Sequence, residues 1–290
     1  MDTKSPIEIK IEDLHKSFSE NKVLRGIDLV FHRGEIIAIV GGSGCGKTVL
    51  LNTILGQYPP DKGKISVVDH AHENGKLRYL SEFNNFEIDD IHKHWGVVFQ
   101  RNALFSGSVY KNIALWLTEV KGLDQDEILP IARKALKDVG LPNDDDFLNS
   151  EQNELSGGMA KRLAIARAVS MNPHVIFYDE PTTGLDPSSS EQIHKLIQFT
   201  HNSKLPDGSN RTTVIITHDK DLLSRLRPRT IMLHEGKVFF DGSFDEFEKS
   251  DSEIIRPYFE LMPILDRRYL VDIPQIPDTK KRKGLLIHNS

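Results

Sequence analysis

Cysteine is nearly absent: the sole thiol in 290 residues is Cys45. An intrachain disulfide is thereby excluded, and with it a small disulfide-stapled scaffold. No run approaches the ~20 apolar residues that span a bilayer. The opening Met1-Asp2-Thr3-Lys4-Ser5-Pro6 lacks the basic-then-apolar order of a secretory leader. The expected location is the reducing cytoplasm. Positive charge is not in excess either, with 37 Lys and Arg against 42 Asp and Glu. That balance argues against a nucleic-acid partner, because such binding rests mainly on neutralised phosphates. With 38% hydrophobic and 27% charged residues, the composition is that of a soluble protein. The length suits one large domain with a subdomain or extension.

What is present centres on Gly41-Gly42-Ser43-Gly44-Cys45-Gly46-Lys47-Thr48, between the apolar run 35–40 and the helix-like 49–55. This is a strand, a glycine-rich loop and a helix start, with the spacing G-x-x-x-x-G-K-[ST] of a triphosphate-binding loop. Glycine lets the backbone take φ > 0 and approach an anion with no Cβ in the way. Successive N–H groups and the positive end of the helix then favour phosphate. Lys47 is expected to reach the β- and γ-phosphates and the Thr48 hydroxyl to hold Mg²⁺.

Upstream, residues 7–11, 23–31 and 35–40 read as strands, the first two half-exposed and the last buried. Phe18 stands in a polar turn, as a strand-end core residue or a stacking platform for a purine. Residues 64–68 form a further strand, and 69–94 read as a polar, irregular surface insertion. Its His70, His72, His92 and His94 form two H-x-H pairs, but no cysteine accompanies them and a metal site is not expected. Residues 96–100 make a short buried strand ending at Gln100.

Helical spacing governs 110–117, 127–139 and 159–169, broken by Gly140-Leu141-Pro142 and the acidic 143–146. The third helix opens Leu155-Ser156-Gly157-Gly158-Met159-Ala160-Lys161-Arg162, a capped start with no bulky side chains and therefore a second place for phosphate. The strand 175–178 then ends in Asp179-Glu180-Pro181. Adjacent carboxylates on a strand point to opposite faces. Asp179 can thus order Mg²⁺ with Thr48 while Glu180 polarises an attacking water. Leu185-Asp186-Pro187 caps a helix running to about Thr200, and the strand 212–217 leads to His218. Residues from about 251 read as an extended arm, with Ile254, Ile255, Tyr258, Phe259 and Ile264 needing burial, which suggests contact with a partner ATPase. The basic run 280–283 is a solvated tail or a contact for anionic lipid.

In their order these motifs resemble the ATP-binding cassette (ABC) ATPases, over residues 7–245. The resemblance implies an α/β fold: a P-loop core, an antiparallel β subdomain and an inserted α-helical signature subdomain at about 103–172, with 246–290 as a C-terminal extension. It places the adenine on Phe18, the Walker A loop at Gly41 to Thr48, the Q-loop at Gln100 and the signature at Leu155, Ser156, Gly157, Gly158 and Met159. Asp179 and Glu180 become the Walker B pair, Asp186 the D-loop and His218 the switch histidine. Thr48, Gln100 and Asp179 would surround Mg²⁺; Lys47, Glu180 and His218 would carry hydrolysis. Each chain supplies one half of each of two sites, so the resemblance implies a homodimer with ATP and Mg²⁺ between subunits, acting on separate membrane permease subunits from the cytoplasmic face. Val49 after the Walker A threonine, Met159 in the signature and the run Gly96 to Phe105 look like the ATPases of MCE-domain lipid transporters of the Mla type. Phospholipid transport with an MCE-domain partner is therefore expected, with a small-solute importer, for example for amino acids, as the alternative and a soluble non-transport ABC protein as a third reading.

Overall fold

Two β-sheets of opposite character divide the strands, as their hydrophobic patterns require. The computed structural model describes residues 6–70 and 75–257. In chain order the elements are β1 (Ile7–Phe18), β2 (Asn21–His32), β3 (Ile36–Val40), α1 (Lys47–Ile54), β4 (Lys62–Val68), β5 (Leu77–Tyr79), α2 (Asn85–His92) and β6 (Trp95–Val98). The helices α3 (Val109–Lys121), α4 (Gln125–Asp138), α5 (Asp145–Asn149) and α6 (Gly157–Ser170) follow. The chain continues with β7 (Val175–Asp179), α7 (Pro187–Asn202), β8 (Thr212–Ile216), α8 (Lys220–Leu226), β9 (Arg229–His234), β10 (Lys237–Ser243) and α9 (Phe244–Glu248).

The alternating strands make an antiparallel sheet in the order β2-β1-β4-β5. The near-continuous apolar ones make the second sheet, β10-β9-β3-β8-β7-β6, parallel except for β10. Buried on both faces, its parallel strands have little polar side to show, while the edge strand β10 alternates and is partly exposed. In β7, Val175 and Phe177 join the core around α1, while Ile176 and Tyr178 join the core under the helical subdomain. The period-2 alternation of a strand thus splits one apolar run between two cores. Helices α3 to α6 sit over the second face, with Ile113, Leu117, Leu136 and Leu163 fully buried.

Some expectations need correction. The segment 69–94 contains β5, a single 3₁₀ turn at Leu80–Glu82 and α2. Asn84 and Glu87 form a reciprocal capping box, and Leu80, Phe83 and Ile91 are buried at intervals too sparse to show a period. The acidic run at 143–146 is a helix start rather than only a break, since Asp144 accepts from Phe147 N and caps α5. The strand expected to end at Gln100 ends at Val98. The boundary placed after residue 245 cuts through α9, whose Phe244 and Phe247 form a third core with Ala38, Val40 and Ile255. Ile254 and Ile255 therefore find cover within their own chain; Tyr258, Phe259 and Ile264 lie outside the described residues.

The histidines behave differently from the sequence pairing. His70, His94 and His174 cluster where β4 ends and β6 and β7 begin, with the His70 and His174 rings stacked at 4.0 Å. His70 Nε2 is 2.6 Å from the buried Glu8 carboxylate, and Arg33 reaches the same carboxylate. His92 instead meets Leu55 O, and His72 lies outside the described residues. Among the described residues no group of histidines and carboxylates is arranged to hold a metal ion. Burial, then the neighbouring charges of His70 and His94, push His174 down to about 4; burial and His70 also lower His94. Below the ordinary value of 6.5 the unfolded chain takes up these protons first, so stability present at neutral pH is lost as pH falls from 6.5 towards 4. Thermal melts across that window should show the decline, and His174→Gln should flatten it.

Candidate active site

Parallel register brings the chemistry to one sheet edge. Strand β3 runs between β8 and β9, and β8 pairs with β7 so that Asp179 lies opposite Ile216. The loops after β3, β7 and β8 therefore leave side by side, at the carboxyl ends where α/β sheets place their ligands. The first carries Gly41 to Gly46, the second Glu180, the third His218.

In the first loop Gly41 cannot be replaced without displacement: a Cβ there would meet Leu233 O at 2.4 Å and Cys45 Sγ at 2.7 Å. Gly46, at φ 106, occupies the left-handed region and starts α1. Gly42 and Gly44 face open space, with nothing within 4 Å of a would-be Cβ. No side chain caps α1, so its first N–H groups are left to the loop. Lys47 Nζ donates to Gly41 O at 2.8 Å and to Gly42 O at 3.2 Å, holding its charge across the loop. Cys45 is half-buried beneath it, with Sγ 3.9 Å from Nζ. Ser43 and Thr48 are exposed. A concave backbone with a fixed ammonium is a phosphate cradle.

Asp179 is buried at the end of β7. Burial raises its pKa, the Glu180 charge adds to that, and the Lys47 and Lys161 charges oppose it. Glu180 departs from the alternation expected of a strand pair: its φ is 46, in the left-handed region, and its N–H donates to Ile216 O. That conformation costs on the order of 1–3 kcal/mol in a residue with a Cβ. It turns the carboxylate to His218, whose Nδ1 is 2.7 Å from Glu180 Oε2.

The expected Mg²⁺ donors are a buried carboxylate at Asp179, a hydroxyl at Thr48 and an amide at Gln100, all hard oxygens. The set fits the ion, because a dication would relieve the burial that raises Asp179. Gln100 is exposed, and its carbonyl is held from below by Lys161, which donates to Gln100 O at 2.8 Å and Phe99 O at 3.0 Å. Lys161, beside Arg162 in the first turns of α6, is 2% exposed, and burial pushes its pKa down to about 8. The signal was its place on the Lys161, Ala164, Ala168 stripe of α6, at helical spacing.

Phe18 ends β1 as an exposed ring, with Tyr58 edge-on at 5.3 Å and Lys16 Nζ 5.5 Å from its centre. Its exposure sets aside the core reading and leaves a ring face open to a planar ligand. In the signature, Ser156 accepts from Met159 N and caps α6, and Ser156 and Gly157 are exposed. Gly158 is small for a packing reason, since a Cβ would meet Ser189 Oγ on α7 at 2.8 Å. Leu155 and Met159 pack against the core beneath the helical subdomain. Asp186 caps α7 by accepting from Ser189 N.

Comparison with known proteins agrees with this geometry. Residues 24–183 match the family model described as ABC transporter. The chain is 34% identical over 268 residues to the methionine import ATP-binding protein MetN of Clostridium tetani, covering 91% of this chain and 76% of that one. It is 32% identical over 270 residues to the chloroplastic protein TRIGALACTOSYLDIACYLGLYCEROL 3 of Arabidopsis thaliana, covering 89% and 75%. Among solved structures it resembles the dimeric, post-hydrolysis ATP-binding cassette MJ0796 bound to ADP and Pi, with TM-score 0.68, 28% identity, and 81% and 98% of the two chains covered. The chain belongs to the ABC transporter family, as an ATP-binding cassette that hydrolyses ATP with Mg²⁺.

Proposed function

We propose that this cassette is the ATPase subunit of an importer for a small solute of the amino-acid class. The likeness to a methionine import ATPase across 91% of the chain carries this reading. In it two copies of the chain close on two ATP molecules. Lys47 and the loop N–H groups of one copy hold the phosphates, and Ser156, Gly157 and Gly158 of the other complete the site. Glu180 orients and deprotonates the attacking water, His218 holds Glu180 and contacts the γ-phosphate, and the transition-state charge is met by Lys47 and backbone donors. Thr48, Asp179 and Gln100 would hold Mg²⁺, whose charge would offset the negative charge of the phosphates. The dimeric state of the MJ0796 cassette supports the pairing.

In this reading the motion is passed to separate permease subunits at the cytoplasmic face; among the described residues no helix is long and apolar enough to cross a membrane. A groove of about 380 Å³ beside the Gln100 loop, lined by Trp95, Phe99, Phe105, Trp116 and Arg167, offers an apolar seat for a permease segment. Phe105 and Trp116 are exposed there.

A second reading, lipid transport with an MCE-domain partner, is favoured by the signature run through Met159 and by the glycolipid in the name of the Arabidopsis relative. Val49 and Met159 are weaker support than their positions suggest, because both are packed into the cores. Purifying the chain with its membrane subunits separates the readings. A permease with a solute-binding protein is the expected result, an MCE-domain protein would establish the lipid reading, and recovery free of any membrane subunit would refute both.

A further inference from the structure

His194, on α7, is 3% exposed and belongs to none of the nucleotide motifs. Its Nε2 lies 2.7 Å from Asp219 Oδ2, and the Thr182 hydroxyl donates to that same oxygen at 2.7 Å. The other oxygen of Asp219 accepts from Leu222 N and caps α8, while Asp219 N donates to Thr217 Oγ1. Burial would raise the Asp219 pKa, but the bonds from His194 and Thr182 outweigh it and bring it to about 2. The carboxylate is therefore an acceptor only, and His194 Nε2 is the donor. On its other side His194 Nδ1 faces Glu191 at 3.8 Å, and Glu191 is itself held by Lys195 and Arg225.

Position gives this network its meaning. Thr182 stands two residues after Glu180, and Asp219 directly follows His218. Glu180 and His218 meet at 2.7 Å, so the contacts Glu180–His218 and Thr182–Asp219 tie the same two loops together twice. Within itself the Glu180 turn is closed by Thr183 N to Glu180 O and Leu185 N to Thr182 O, and by a long bond of 3.4 Å from Thr183 Oγ1 to Glu180 Oε2. Its left-handed residue is held by what surrounds it.

We propose that His194 is a positioning residue for ATP hydrolysis: through Asp219 it locks the Glu180–Asp186 turn to the His218 loop. The proposal rests on the assignment of Glu180 and His218 as the hydrolytic pair. Its donor is one charge-assisted hydrogen bond inside a buried network, where geometric slack is costly to a reaction that depends on placement.

The test uses the full chain with three variants. His194→Leu keeps the volume and removes the donor; His194→Gln returns an N–H at similar reach; Thr182→Val removes the second donor to Asp219. For His194→Leu, kcat should fall about tenfold, the scale of one such bond, with KM for ATP within about twofold. His194→Gln should recover most of kcat, and Thr182→Val should reproduce the loss if the leucine variant fails to fold. Hydrogen exchange at residues 180–186 and 217–222, without nucleotide, should quicken in His194→Leu and not in His194→Gln. Unchanged kcat and exchange in His194→Leu, or a glutamine variant as slow as the leucine one at equal melting temperature, would overturn the proposal. Glu180→Gln is measured alongside. If that variant turns over normally, the hydrolytic-pair assignment fails on its own evidence, while the exchange result still decides whether His194 holds the two loops.

Discussion

Replacing Glu180 by glutamine is expected to leave ATP binding intact and to cut turnover by a factor on the order of 10²–10⁴, the contribution of a positioned general base. Glutamine is nearly isosteric, so the left-handed backbone at φ 46 and the contact with His218 can persist through the amide oxygen. What is lost is the negative charge that accepts the proton of water. Since ATP would close two copies and hydrolysis would open them, an ATP-bound dimer should accumulate, visible as a shift in size-exclusion elution with ATP and Mg²⁺. Normal turnover in this variant would remove Glu180 from the mechanism. Retained hydrolysis with no dimer would count against the shared site.

Lys47→Ala is expected to weaken ATP binding by about ten- to a hundredfold, the range for losing hydrogen bonds to a charged group. Its ammonium is fixed by Gly41 O and Gly42 O, so little ordering is required of it when phosphate binds. The charge also lowers the Asp179 pKa against the effect of burial. Removing it should raise that pKa further, and with the ammonium gone the phosphates depend more on Mg²⁺ for neutralisation, so affinity should become more dependent on Mg²⁺ concentration. Calorimetric titration with a non-hydrolysable ATP analogue measures both effects. Unchanged affinity would contradict the role given to Lys47.

The nucleotide chemistry was legible because its motifs are short in sequence and bound to a simple local pattern. A strand, a glycine loop and a helix start close within the residues 36–54, and the apolar runs of β3, β7 and β8 announce a sheet buried on both faces. Where element signals were weak or short the reading failed. Helix α5 hid in an acidic run and α2 in a polar segment, and α8, directly after His218, had no sequence prediction. Their few apolar residues are buried by partners far away in the chain, which periodicity cannot see.

Cargo was the least legible property. Val49 and Met159, which tilted the sequence reading to lipid, pack into the two cores. They report the packing around α1 and α6.

By itself the sequence determined that this chain binds a nucleoside triphosphate and singled out the side chains proposed to touch it, because phosphate recognition needs particular residue types at fixed local spacing. Only the tertiary structure decided how those residues are held. It set the left-handed turn that joins Glu180 to His218, Lys161 buried beneath the Gln100 loop, Gly158 kept small by Ser189, and His194 bonded to Asp219. Each of these depends on contacts between strands and helices distant in the chain, whose distances and burial exist only once the sheet has brought them together.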